Sequence, residues 1–467
     1  MQQAPMRKNN LLAVSIAAVL GLGASGSAFA VNGFQVIGYG EDQVAVGGAV
    51  TANPTSAMTA LSNPAGMTMI GERADFSMEA FMPDVKLDAT NSAFTGFNAT
   101  PNPNPGGTAK SSGDLYGLPS IGWVGQTGVQ NLFFGGGMYA TAGLGADFGS
   151  VNLNTQANPL AGNTNPTVFN GYSNVTMFRV SPALGYKISP QLSVGAALNV
   201  NMLMLGFRET FTNMINPANG SAFDVNFNLG RAGQAFGLGG TLGLIYDPLP
   251  GLVRLGASYT TKANFQDTEF ELAAGDISGF PDVSAAQGNP NAGAPNSAGT
   301  YKAAFDFPQQ AAVGLALMPE GPLTLSADVK WINYKDTLKD FYVTGNGRTW
   351  NLQPKWDDVW VYAAGATYKP MPGMKFMVGY NYSDAPVSNS ATFNNLIFPA
   401  IVKHHITTGF NYQLGKNWDI GGALQYIPKE TITGENDMQQ PDGSIGSSNI
   451  KLSNQITTIG MNLGYRF

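Results

Sequence analysis

The chain has 467 residues with a net charge of −6, 12% charged residues and no cysteine. That acidic balance argues against nucleic acid and anionic surfaces as partners, and the lack of thiols excludes disulfides, thiolate nucleophiles and Cys-ligated metals. Charged residues stand at about half their usual share, which disfavours a soluble array of domains and suits a large membrane barrel that absorbs the length as one unit.

Residues 1–30 read as a secretory signal peptide: Arg7 and Lys8, the apolar run Leu11–Leu22, then Ala28-Phe29-Ala30 with cleavage near Ala30. The run is too short to span a bilayer, for which roughly 20 residues are needed. Residues 31–70 follow as a small-residue, polar stretch that closes on Asn63-Pro64-Ala65-Gly66. Asn-Pro starts a turn and proline lacks a donor, so no regular element crosses it. The residues alone leave a compact plug and a disordered leader equally open.

From Arg73 onward, apolar and polar residues alternate with period two. In the last segment Ile459, Met461, Leu463, Tyr465 and Phe467 share one face, and Gly460, Asn462, Gly464 and Arg466 the other. Apolar outside with polar or tiny residues inside fits lipid around a polar lumen. Leu323–Trp331 and Ile406–Tyr412 repeat the pattern, and no apolar run after Leu22 is long enough for a spanning helix. Six short connections carry Pro, Gly or Asn chemistry: Gln126–Gln130, Ser189–Gln191, Asp247–Gly251, Pro319–Pro322, Lys369–Gly373 and Gly415–Asn417. Seven long ones alternate with them, near Thr90–Ser112, Thr141–Ser173, Glu209–Ser221, Lys262–Tyr301, Lys335–Pro354, Ser383–Val402 and Thr431–Asn449. Together they predict an all-β transmembrane barrel of fourteen antiparallel strands over residues 71–467, with both termini on the short-turn side. Tyr186, Tyr246, Tyr368 and Tyr412 lie near short turns, where an interfacial aromatic girdle belongs.

Asn32-Gly33-Phe34-Gln35 at the mature N-terminus, Asn63-Pro64-Ala65-Gly66 before the first strand, the Pro399-x-x-Val402-x-x-His405-x-Thr407 wording and the terminal Gly464-Tyr465-Arg466-Phe467 resemble the FadL/TodX family of outer-membrane transporters. The resemblance covers most of the mature chain and is specific at those places. It implies a Gram-negative outer-membrane barrel with residues 31–70 as a plug, or hatch, in the lumen. It also implies passive uptake of hydrophobic small molecules, long-chain fatty acids and aromatic hydrocarbons fitting equally. Phe34, Val36 and Ile37 would then line the ligand pocket. Asn63, Pro64, Ala65 and Gly66 would gate. Gly135-Gly136-Gly137, in the third strand by count, would kink it into a lateral exit, with Asn63 hydrogen-bonded to the backbone freed at the bend. The implied partners are the substrate, outer-membrane lipid and lipopolysaccharide, and the assembly machinery that reads the last strand; the implied state is a monomer. The alternative is a general porin or a structural, adhesive barrel, but a porin would need a charged constriction loop and no plug.

No catalytic residue, metal ligand or cofactor site is expected. His404 and His405, the only histidines, face opposite ways by alternation, and no Ser or Asp at a recognisable spacing completes a hydrolase site. The glycine triplet also fits simple packing against the plug. Asp75, Glu79, Arg179, Arg254, Asp328 and Lys330 read as lumen charges, most of them paired. The stretch Asn264–Ala303, with Phe265, Phe270, Leu272, Ile277 and Phe280, is too apolar for idle surface: it is either a greasy landing site or a cover over the barrel mouth.

Overall fold

The structure, a computed structural model, describes residues 31–92, 106–153, 166–215, 221–280, 294–439 and 445–467; the signal peptide lies outside the described residues. Fourteen antiparallel strands form the wall. They are β1 (Arg73–Asp88), β2 (Tyr116–Gln126), β3 (Leu132–Leu153), β4 (Thr167–Val180, continued by Ala183–Lys187), β5 (Leu192–Ile215), β6 (Ala222–Leu249) and β7 (Val253–Thr260). The second half comprises β8 (Gln310–Leu317), β9 (Leu323–Ile332), β10 (Val359–Tyr368), β11 (Met374–Ser383), β12 (His404–Leu414), β13 (Trp418–Thr433) and β14 (Lys451–Arg466). Each strand pairs with its sequence neighbours, and β1 pairs with β14 from Arg73↔Arg466 to Asp88↔Lys451, so the sheet closes into a barrel. All six short turns fall where Pro, Gly and Asn placed them.

Alternation decides the two faces. Met461 is 73% exposed on the outside whereas Asn462 beside it is 8% exposed, turned inward. Tyr186, Tyr246, Tyr368 and Tyr412 all stand exposed on the outer face near the short turns, as a girdle requires. His405 is buried and His404 lies outside, its Nδ1 2.7 Å from the Tyr380 hydroxyl.

The apolar stretch between β7 and β8 folds over the mouth. Its segments Thr268–Leu272 and Gly299–Ala303 join Phe341–Gly345 and Arg348–Leu352, from between β9 and β10, in a four-stranded sheet. Phe270, Leu272 and Ile277 are buried in the same apolar cluster as Phe34, and Phe265 and Phe280 pack against it. They belong to a cover, not to a landing surface.

Candidate transport site

The leading segment Val31–Ile70 is almost wholly buried against the inward faces of the strands. It contains only short helical turns: α1 (Glu41–Val44), α2 (Thr59–Ser62), a 3-10 turn Pro64–Gly66 and α3 (Met67–Ile70). Small and polar residues cannot build a core of their own, so the segment's backbone is satisfied by the wall. Asp328 of β9 accepts from Val50 N at 2.9 Å and Thr51 N at 2.8 Å, and Asp75 of β1 accepts from Ala57 N at 2.7 Å. Asn381 of β11 and Thr407 of β12 donate to Gly47 O and Ala45 O at 3.0 and 3.1 Å. Ser77 donates to Glu41, whose carboxyl is pushed well above its ordinary value first by burial and then by the nearby Glu79.

Close approach needs bare backbone on the wall. A Cβ at Gly195, Gly243, Gly256, Gly314, Gly365 or Gly379 would collide with the leading segment, at all but Gly314 mainly with its backbone or with Asn63 and Pro64. These glycines line the seat on β5 through β11.

At its start the segment carries Phe34 into an aromatic box. The ring is fully buried, with centroids of Phe305, Phe307, Tyr334 and Trp356 at 5.8, 5.7, 5.2 and 5.8 Å. Burial pushes the Tyr334 hydroxyl far up, so it stays protonated; it donates to Asn32 O and accepts from Phe34 N at 3.2 Å. Beside the box lies an apolar cavity of about 30 Å3, lined by Leu144, Leu205, Phe207, Phe305 and Trp356 among others. Below it, Arg179 of β4 is buried, with Nε donating to Asn201 at 2.6 Å and the guanidinium over Phe307 at 4.7 Å. Both of its terminal nitrogens lack a hydrogen-bond partner.

The wall next to the box is open along a seam. The β2–β3 ladder runs from Gln126↔Phe133 to Ser120↔Tyr139 and stops. Beyond it Gly117, Leu118 and Pro119 of β2 are laddered to β1 and not to β3, while β3 from Ala140 is laddered to β4 and not to β2. A bulge between Ala140 and Ala142 turns β3 inward at that point. The leading segment occupies the backbone this releases: Val36 N donates to Thr141 O at 3.4 Å, and Gly143 N to Phe34 O at 3.0 Å, with Gln35 bridged to Ala142. Farther out, Ser112 N donates to Asp147 O at 2.9 Å and Gly107 N to Asn152 O at 2.7 Å, so the two sides meet again.

The model of the outer membrane protein transport protein family, OMPP1/FadL/TodX, matches residues 17–467. The chain belongs to that family. It is an outer-membrane transporter of hydrophobic compounds. Among solved structures it is similar to the Pseudomonas putida toluene transporter TodX, at 20% identity over 92% of this chain and 99% of that one, with a TM-score of 0.66. A Pseudomonas aeruginosa FadL homologue gives 16% identity, coverage of 93% and 100%, and a TM-score of 0.70. The Ralstonia pickettii toluene transporter TbuX gives 21% identity, coverage of 92% and 98%, and a TM-score of 0.62. No curated protein sequence matches.

Against the family-based expectations the structure makes three corrections. Gly135, Gly136 and Gly137 are not the opening: they pair with Val124, Trp123 and Gly122 of β2 inside the intact ladder. Their bareness serves packing, since a Cβ on Gly135 would press on Met67 of the leading segment and one on Gly136, at φ +145°, would strike Ser181 O. Asn63 does not reach β3. Its Nδ2 donates to Thr51 O at 2.7 Å and to Leu244 O of β6 at 3.1 Å, while Oδ1 accepts from Ala65 N. Pro64, Ala65 and Gly66 form the turn seated over Gly195 and Gly243. Of the three apolar residues proposed as pocket lining, only Phe34 joins the box; Ile37 and Val36 pack in a separate cluster that the leading segment shares with the wall, among Val44, Val46, Val50, Phe81, Leu118 and Ala140. What sequence reasoning missed was the bulge at Thr141 and the wall glycines. The glycines had a signal, their shared inward phase on successive strands.

Proposed function

We propose that this family member takes up hydrophobic molecules passively, through the aromatic box and out sideways between β2 and β3, with residues 31–70 as the plug that forbids a straight path. The seam carries this reading. Unpaired ladder groups inside a bilayer are costly, so a wall that leaves them and then satisfies them with the plug's first residues has a use for the opening. The plug's many hydrogen bonds to the wall make wholesale release expensive, whereas freeing Phe34–Val36 breaks only a few. A cavity of about 30 Å3 is far below the roughly 150 Å3 that holds a benzene ring. An aromatic or acyl ligand therefore enters by displacing the Phe34 ring, which loosens the same residues that cap the seam.

Phe34→Ala should then bind a toluene-sized ligand about tenfold more tightly or better, because no buried ring has to leave first, while uptake becomes insensitive to ligand. Calorimetry on the purified barrel reads the first effect; equal or weaker affinity would make the ring a fixed wall of the pocket.

Arg179 bears on substrate class. Its two unpartnered nitrogens suit a carboxylate at the inner end of the box, so the acyl reading gains support beside the aromatic one that the toluene-transporting relatives suggest. Arg179→Met should weaken binding of a long-chain fatty acid by roughly 10–100-fold, the worth of a charge-assisted hydrogen bond, and leave toluene binding unchanged. Equal effects on both ligands would remove the arginine from substrate recognition.

A further inference from the structure

The outer face of the barrel changes character at one level on three neighbouring strands. On β1 the outward residues are Phe76, Met78, Ala80 and Met82, then Asp84, Lys86 and Asp88. On β14, Leu463, Met461 and Ile459 give way to Thr457, Gln455, Ser453 and Lys451. On β13, Ile420, Leu424 and Tyr426 give way to Lys429 and Thr431. Met82 is paired with Thr457, and Thr457 with Tyr426, so the apolar edge is a single row across the three strands. It lies on the end of the barrel away from the short turns.

Four lysines stand about 10–20 Å beyond this row. Lys86 lies four residues past Met82, about 13 Å along the strand. Lys110, on the short segment Thr108–Lys110, pairs directly with Lys86. Lys451 pairs with Asp88 across β14–β1. Lys429 is thrown outward by the register shift between Ile427 and Glu430, as bulges commonly re-aim side chains. All four are exposed. Like charges directly opposite repel, and only Asp84 separates Lys86 from Lys110, at 2.8 and 3.4 Å from their Nζ atoms. Glu430, next to Lys429 in the chain, has its carboxylate 4.0 Å from the His404 ring. Against four cations the arc thus sets three acids, Asp84, Asp88 and Glu430, leaving one positive charge in excess. Farther round, past β12, strands β10 and β11 carry Trp360, Tyr362, Tyr380 and Tyr382 on their outward faces instead; at its other end the arc reaches the seam, since Lys110 lies on the segment whose Gly107 and Ser112 bond to β3.

We infer that this arc is a binding site for the phosphorylated headgroup of an outer-leaflet glycolipid, the lipid A part of lipopolysaccharide, with its acyl chains against Met78, Met82, Ile459 and Leu424 and its phosphates among Lys86, Lys110, Lys429 and Lys451. Charge complementarity selects a multiply anionic head, since clustered lysines at a membrane surface attract anionic lipid. The level selects the leaflet: the cations stand at the polar edge farthest from the periplasmic turns, where phospholipid heads of the inner leaflet do not reach. A headgroup held here would order the lipid flanking the exit.

The test is native mass spectrometry of the full mature chain titrated with purified bis-phosphorylated lipid A, with lipid A stripped of its phosphates, and with phosphatidylglycerol. The expected result is preferential retention of the phosphorylated lipid A, at least about tenfold weaker in the fourfold variant Lys86→Gln, Lys110→Gln, Lys429→Gln, Lys451→Gln and preserved in the matching fourfold Lys→Arg variant. Exposed residues at strand tops do not hold the wall, and the arginine variant controls for the substitutions themselves. Unchanged binding in the glutamine variant, or equal retention of the stripped lipid A or of phosphatidylglycerol by the wild type, would overturn the site.

Discussion

Valine at both Gly256 and Gly379 is expected to turn a closed barrel into a conducting one. The two glycines sit on β7 and β11, and a Cβ at either would drive into plug backbone, Thr51 and Ala52 at one and Val46 and Gly47 at the other. Valine is a good strand former, so the ladders on either side have no reason to change. The plug cannot yield locally, because Asp328 holds Val50 and Thr51 and Asn381 holds Gly47 at those same places. It must leave its seat. Planar-bilayer recordings should then show a steady ion current in the variant and none in the wild type. If the double variant fails to assemble, Asp328→Ala asks the same question with the wall intact: two buried N–H groups lose their acceptor, at about 1–3 kcal/mol each, and intermittent opening should follow. Closed wild-type behaviour in both would mean that the plug is not what blocks the lumen.

The barrel was legible because its determinants are local. Period-two alternation and turn chemistry fix strands and short connections within a few residues of themselves, and Met461 beside Asn462 or Pro370 in the turn Lys369–Gly373 needs no distant partner to be read. The cover over the mouth was half legible: Phe270 and Leu272 declared themselves too apolar for surface, but which surface they met depended on segments far away in sequence. The seam was not legible, and the reason is instructive. Three consecutive glycines are conspicuous, yet their meaning is set by whatever packs on them, here Met67 and Trp123. The bulge falls in Ala140-Thr141-Ala142, a sequence as compatible with a regular strand as with a broken one. Nothing local marks it, because what stabilises it is the plug's first residues arriving from a hundred positions upstream. Arg179 read as one lumen charge among six; the structure shows that Asp75 and Asp328 accept from the leading segment's backbone, Arg254 pairs with Asp247, and Arg179 keeps two unpartnered nitrogens beside Phe307 of the box.

Deleting Thr141 is expected to close the exit while sparing the box. The residue is the extra one in β3, lying between Ala140, which pairs with Phe178, and Ala142, which pairs with Met177. Without it β3 keeps its register on β4 with no inward turn. Continuing the Ser120↔Tyr139 register would then bring Ala140 to Leu144 alongside Pro119 to Tyr116 of β2. Pro119 has no N–H to give, so about three new ladder bonds form, and at about 1 kcal/mol each they would lower the open population by roughly 100-fold. The box is built from Phe305, Phe307, Tyr334 and Trp356, all outside β3, and β3 gives the cavity only Leu144, so ligand should still bind. The measurement needs both halves: calorimetry for affinity and uptake of a labelled hydrophobic substrate into cells carrying the variant. Retained binding with uptake down by about two orders of magnitude is the expected pair. Wild-type uptake through a wall shown to be closed would place the route down the lumen, past a plug that every hydrogen bond to the wall says should stay.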